Sequence, residues 1–443
     1  MFRPKRRIPD WTSLNAATRQ RWQATARERA VALNAKLNAF VTIEPAKARF
    51  GGTLDGLPYA AKDMLQTSTH RPSGGLPDAG DLGIVGNSQL LERLDVADAD
   101  RIGFTQMTEL AYEPSGYNAS RGRVKNPWSL DHVPGGSSSG SAAAVASGAV
   151  AAALGSDTGG SLRIPAHCCG ITAWKPTYGL VSTRGAMPLA PSLDTIGLLA
   201  RSAADLVPLT TILADLPASR PMRRILVLRD ILVQCAPEIA QACFNLASVL
   251  SGSGVAIEYK DALPAIEAID AHALTIMFAE SARVHRARID DPAVASVLRR
   301  RLAKGLEVTG DTLAASLAAR PRLIRDFEEQ ILAGADAALL PVMAIRTPTA
   351  AECNPTSDRF SPKTLYAMSR FTRFVNLLGF PAVALPAGFD GRGLPIAVQF
   401  VGRPGSDLAL LELVRHVQGK TDWHGRVPTA IAGLAPSQPE PAS

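Results

Sequence analysis

Apolar and polar positions fall into several rhythms along the chain. From Asn15 to Asn38, helix-favouring Ala, Arg, Gln and Leu predict a helix, and Ala39 to Ile43 an ensuing strand. Leu57 to Lys62 reads as a buried strand that ends on a lysine, and Ser88 to Leu94 as a short helix. Between Ser138 and Leu154 the polar face disappears, leaving Ala, Ser, Gly, Val and one Leu. This run predicts a single buried helix, capped by Ser138 or Ser139 and closed by Gly155. Later, the apolar Arg224 to Leu228, the helical Pro237 to Leu250 and the alternating Val255 to Tyr259 form a βαβ pattern whose strands are expected in the main sheet. Residues Leu263 to Gly334 read as mostly helical.

Two Gly-Gly-Ser turns bracket the small-residue run, at Gly135-Gly136-Ser137 and Gly159-Gly160-Ser161. A glycine pair lets the backbone hold a following serine at angles that a side chain would forbid. In Ser156-Asp157-Thr158-Gly159-Gly160-Ser161, successive amides can form an anion-binding nest beside a hydroxyl, which is the construction of an oxyanion hole. The candidate donors are the amides of Thr158, Gly159, Gly160 and Ser161. Gly136-Ser137-Ser138-Ser139-Gly140 also satisfies the GxSxG elbow of α/β-hydrolases. That elbow requires a buried strand before it and a late histidine. Trp128 to Pro134 does not read as a strand, and His416 and His424 are better read as helix-surface and tail residues. No GxxxxGK[ST] phosphate loop occurs in the sequence.

The stretch Pro134 to Thr177 resembles the signature motif of the amidase signature family, and Lys62, in Gly56-Leu57-Pro58-Tyr59-Ala60-Ala61-Lys62-Asp63, stands where that family has its catalytic lysine. The resemblance covers roughly residues 35–215 and 335–418 and fades across the middle of the chain. It implies a single α/β domain over residues 1–430 with a central mixed sheet flanked by helices, strands at Ile102-Gly103-Phe104 and Leu339 to Val342, and a cis peptide bond before Ser137. Phe104 departs from the family's lysine, and Leu198 from its common proline. By the same resemblance Ser161 is the nucleophile, Ser137 the proton relay and Lys62 the general base and then acid, with no metal or organic cofactor. Lys62 can serve as a base only if burial lowers its pKa, so Asp63 is expected to turn to the opposite face of the strand. Arg163 matches the family's SIRxPA arginine and has two open readings, a grip on a substrate carboxylate or a pair with a structural acid such as Asp157; Gly136 is a further candidate substrate contact. The poorly matched middle, 216–334, is expected to choose the substrate.

Composition narrows the choice further. The 443 residues are 46% hydrophobic and 20% charged, as in a soluble protein with a large core. Net charge is +7, but Lys and Arg are scattered, which argues against a nucleic-acid surface; Pro4 to Arg7 is the one basic cluster. The first residues lack the apolar core of a secretory signal, and the five cysteines show no disulfide or zinc spacing, so a cytoplasmic protein with reduced thiols is expected. Nothing predicts membrane attachment. The final stretch, 435–443, has the composition of a disordered tail. The expected partner is a small-molecule amide, with a homodimer allowed. Two rivals share the fold: the glutaminase-type component of a tRNA-dependent amidotransferase, and a non-catalytic binder. The intact Lys62, Ser137 and Ser161 set argues against the latter.

Overall fold

The computed structural model describes residues 15–45 and 52–433. The basic cluster at Pro4 to Arg7 and the expected tail at 435–443 lie outside them.

Eleven strands form one mixed sheet: β1 (Phe40–Ile43), β2 (Pro58–Lys62), β3 (Asp100–Thr105), β4 (Ala152–Asp157), β5 (Thr172–Lys175), β6 (Thr195–Ala200), β7 (Arg224–Leu228), β8 (Ala256–Lys260), β9 (Ala337–Pro341), β10 (Ala382–Phe389) and β11 (Pro395–Gly402). Their spatial order is β1-β3-β2-β4-β6-β5-β10-β11-β9-β7-β8. The trio β3-β2-β4 is parallel, the stretch from β4 through β6, β5, β10 and β11 to β9 is antiparallel, and β9-β7-β8 is parallel again. The expected βαβ unit is present, with β7 and β8 joined by the helix Pro237–Ser251 and set at one edge of the sheet.

Helices cover both faces. Ala16–Leu37 starts where the Asn15 side chain accepts the Thr18 amide at 2.9 Å, and stops at Asn38, whose left-handed φ of 54° ends the helix. The helices Leu263–Val284, Ser296–Gly305 and Gly310–Asp326 fill the middle of the chain, as expected.

One expectation fails. The small-residue run is not one helix from Ser138 to Leu154: the helix spans Ser139–Ala146, the chain turns at Gly148 with φ of 72°, and Ala152–Asp157 becomes a central strand. Gly155 therefore does not close a helix. It lies in β4, where a Cβ would come within 2.8 Å of both Leu162 and the Ser138 hydroxyl. Alanine-rich segments suit either state when every side chain is buried, and β4 is fixed by pairing with β2 on one side and β6 on the other. This placement matters for the site. Parallel β2 and β4 end side by side on Lys62 and Ser156-Asp157, and the helix starting at Ser139 brings Ser137 alongside them.

Candidate active site

Lys62 is the last residue of β2 and is completely buried. Its Nζ donates to Ser137 Oγ at 2.7 Å and to Ser156 Oγ at 2.8 Å. Burial lowers its pKa from the ordinary lysine range to about 7, while the more distant Asp157 and Asp194 pull it upward. Asp63, just past the strand, points elsewhere: its carboxylate accepts from the Ser73 amide and hydroxyl and lies 2.8 Å from His70 Nε2. The His70 ring stacks on Phe104, 3.5 Å between centroids, so the phenylalanine that departs from the family lysine forms the floor of this secondary cluster.

A second buried lysine, Lys175, also has its pKa lowered to about 7 by burial, but its Nζ donates to the Pro176 carbonyl and not to a hydroxyl. Lys62 thus combines a depressed pKa with two serine partners. Ser156, the second of them, is not singled out by the sequence, although it opens the same loop as Ser161; the available signal is its position at the end of the strand paired with β2.

The peptide bond Gly136–Ser137 is cis. Gly136 is packed too closely to touch a ligand. Its amide donates to the Pro114 carbonyl, and a Cβ would meet the Glu113 carbonyl oxygen at 2.6 Å and the Gly116 nitrogen at 2.8 Å. The expectation that Gly136 contacts substrate is replaced by a packing role.

The loop from Asp157 to Ser161 is clamped by a buried polar network. Arg163 is fully buried and bonds Asp157 through Nε at 3.0 Å and Nη2 at 2.8 Å, Gln399 Oε1 at 2.9 Å and Asn376 Oδ1 at 2.7 Å. Burial alone would raise the Asp157 pKa, but the Arg163 guanidinium draws it down to about 2. The structure thereby decides between the two readings of Arg163. With no exposed surface and its donors spent on protein acceptors, it has no means of gripping a substrate carboxylate, and it is the partner of Asp157. Thr158 Oγ1 donates to Asp194 at 2.6 Å and Thr372 Oγ1 to the Gly159 carbonyl at 2.6 Å, which pins the loop from two further sides.

The candidate anion nest loses one of its four donors to this network. The Gly160 amide is committed to Asp157 Oδ1 at 2.8 Å. The amides of Thr158, Gly159 and Ser161 have no protein acceptor among the described residues. Those same three residues line a cavity of about 120 Å³, whereas Gly160 does not. Ser161 is partly exposed to it; Ser137 and Lys62 are buried behind. The middle of the chain contributes apolar lining to the cavity, with Leu274, Met277 and Phe278 from the helix Leu263–Val284. A hydroxyl lining a cavity, three uncommitted amides from the same loop and a buried lysine bonded to two serines form an arrangement suited to acyl transfer.

The rival elbow finds no support in this geometry, since Trp128 to Pro134 contains no strand and His416 is exposed on its helix. The described cysteines are all free, and burial pushes the Cys168 thiol up to about 12, far from a reactive thiolate. Among the described residues no helix is long and apolar enough to cross a membrane.

The glutamyl-tRNA(Gln) amidotransferase A chain of Nitrosococcus oceani is 32% identical, the match covering 89% of this chain and 92% of that one. A crystal structure of an amidase superposes with a TM-score of 0.79 at 30% identity over 89% of this chain and 94% of the other. 6-Aminohexanoate cyclic dimer hydrolase, complexed with its substrate, superposes with a TM-score of 0.78 at 25% identity over 96% of each chain. The family model described as Amidase matches residues 13–411. With the whole mixed sheet and the serine-rich loop inside that span, the chain belongs to the Amidase family and is an amidohydrolase.

Proposed function

We propose that the chain hydrolyses a small-molecule carboxylic amide to an acid plus ammonia or an amine, through an acyl-enzyme on Ser161 with Ser137 as proton relay and Lys62 as general base and acid. The observation that carries this assignment is the fully buried Lys62 ammonium nitrogen at 2.7 Å from Ser137 Oγ, with its pKa brought to about 7. An ordinary lysine, with a pKa of about 10.4, is almost wholly protonated near neutrality and cannot accept a proton. At about 7, a large fraction is neutral.

In the forward step, Ser161 Oγ attacks the amide carbonyl carbon while its proton passes to Ser137, whose own proton passes to neutral Lys62. The carbonyl π electrons move to oxygen, and the amides of Thr158, Gly159 and Ser161 receive the developing charge. Lys62, now charged, returns a proton through Ser137 to the amide nitrogen as the C–N bond breaks. Water then attacks the acyl carbon by the same relay, and Ser161 leaves as the alcohol. The free cysteines, four of the five buried, suit a cytoplasmic setting.

The test is single-turnover acylation combined with ammonia release on an amide panel. Ser161→Ala should abolish acylation, whereas Ser137→Ala should leave weak residual turnover, because only the relay is lost; equal and mild effects would overturn the assignment. A second reading, a glutaminase-type component that passes ammonia to a partner, is favoured by the name of the Nitrosococcus oceani relative. Ammonia released from glutamine only in the presence of partner chains would select it.

A further inference from the structure

The cavity in front of Ser161 carries a charge pattern that the hydrolytic chemistry does not require. Three cations line it, Arg301, Lys304 and Arg373, and no Asp or Glu does. Arg373 is already satisfied by a two-pronged pair with Asp270, at 2.9 and 2.7 Å, and by Ser369. The other two are not: among the described residues neither Arg301 nor Lys304 has a carboxylate at ion-pair distance. Glu113 feels the charge of Arg301, but it lies beyond that distance and spends its Oε2 on the amides of Ser115, Gly116 and Tyr117.

Arg301 and Lys304 stand three residues apart on the helix Ser296–Gly305, so they share a face. That face is pressed toward the cavity because Gly305 lets the helix approach the neighbouring one: a Cβ there would fall 2.3 Å from the Phe278 carbonyl oxygen. The two cations differ in depth. Arg301 is partly buried, and Lys304 is exposed. Met277 and Phe278, beside them, are apolar. A ligand that reaches Ser161 therefore meets an apolar passage with positive charge held along one side.

We infer that the preferred substrate is an amide whose body is apolar and which carries a carboxylate remote from the scissile bond, bound by Arg301 with Lys304 guiding its approach. The inference rests on the amidase reading and deepens it. It also distinguishes among acids. An α-amino acid amide such as glutamine brings an ammonium group, for which the cavity lining offers no carboxylate, so a monoacid monoamide without that ammonium is the better fit.

The test uses the full chain and two sets of compounds: dicarboxylic acid monoamides from succinic to sebacic with neutral alkyl amides of equal length, and glutamine with its deaminated analogue glutaramate. Binding of each amide to the Ser161→Ala protein is measured by calorimetry, and kcat/KM is measured on the wild type. A charge-assisted contact in a partly buried site predicts that the best monoacid binds about tenfold or more tighter than its neutral partner, with a similar ratio in kcat/KM. Arg301→Gln should collapse that ratio, Arg301→Lys should restore much of it, and added salt should shrink the Lys304 part. Glutaramate should outperform glutamine. Equal binding of charged and neutral amides, or a ratio unmoved by Arg301→Gln, overturns the inference while leaving amide hydrolysis intact. Tight, Arg301-dependent binding without turnover by the wild type supports the ligand class and instead overturns the hydrolytic reading.

Discussion

At the scale of single residues, the decisive quantity is the free energy of keeping Lys62 neutral. Its pKa in the folded chain is lowered to about 7, below its unfolded value, so the neutral form is the one the fold accommodates. Below about pH 7 both folded and unfolded chains carry the proton, and the full cost of burying a cation is present. Between there and the unfolded pKa of about 10.4 the unfolded chain holds more protons, and stability rises with pH. Activity should therefore climb through a midpoint near 7 on the acidic side of the kcat/KM profile, and a flat profile down to pH 5 would remove Lys62 as base. Lys62→Met should abolish turnover yet make the protein more stable at pH 6, by about 1–4 kcal/mol, because an apolar chain of similar length replaces a buried ion. The gain should narrow toward pH 10, and a denaturant titration at both pH values checks it. Arg163 behaves in the opposite way. Arg163→Gln leaves Asp157 buried without its cation and should cost about 3–5 kcal/mol, read as a fall in the denaturation midpoint; a substrate-gripping arginine would instead raise KM and leave stability alone. Resemblance makes Lys62, Ser137 and Ser161 legible in the sequence. It cannot decide the role of Arg163, because burial and the companions Gln399 and Asn376 come from more than 200 residues away.

Elements are legible where a single period dominates and ambiguous where none does. Ala16–Leu37 is readable to its caps because Asn15 and Asn38 are side chains with local reasons to stop a helix. The run from Ser139 to Asp157 has no polar face to reveal a period, so its division into a helix and a central strand depends on β2 and β6, which are distant in sequence. Within that helix Gly140 offers a test in which two effects oppose each other. Helix propensity alone says Gly→Ala should stabilise by about 1 kcal/mol. A Cβ at Gly140, however, would fall 2.3 Å from the Ala39 carbonyl oxygen and 2.5 Å from that of Gln106, both backbone atoms that cannot swing aside. Overpacking of this kind costs about 1–3 kcal/mol or more, and the contact should win. Gly140→Ala is expected to lower the melting temperature and, because Ser137 lies three residues upstream, turnover as well. A stabilised variant would show that the helix is not seated as described.

Over the whole molecule, the middle of the chain, where the resemblance fades, is joined to the rest through the sheet. Strands β7 and β9 alternate between two apolar clusters: Ile225, Val227, Ala337 and Leu339 face one, while Leu226, Leu228, Ala338 and Leu340 face the other. The second cluster is completed by Ile266, Ile269, Ala273 and Ile276 of the helix Leu263–Val284, which also supplies cavity wall. Sequence can foretell that this region is helical, but not which of its side chains line the cavity at Ser161, because that depends on close contacts such as Gly305 against Phe278. Since the same strands carry both clusters, neither face of the sheet can lose its cover without exposing the other strand residues to water, and the described chain should unfold as one unit. Trp22 and Trp174 are buried in the first cluster, and no tryptophan belongs to the second among the described residues. The fluorescence of Trp22 and Trp174, isolated by replacing the other tryptophans with Phe, therefore follows one face, while hydrogen exchange of residues 263–332 follows the other. Coincident denaturation midpoints are expected from the two probes. If exchange in 263–332 opens at lower denaturant, those helices are a separable cover, and the substrate cavity would then be assembled by a layer that can lift away while the Lys62–Ser137 pair stays folded.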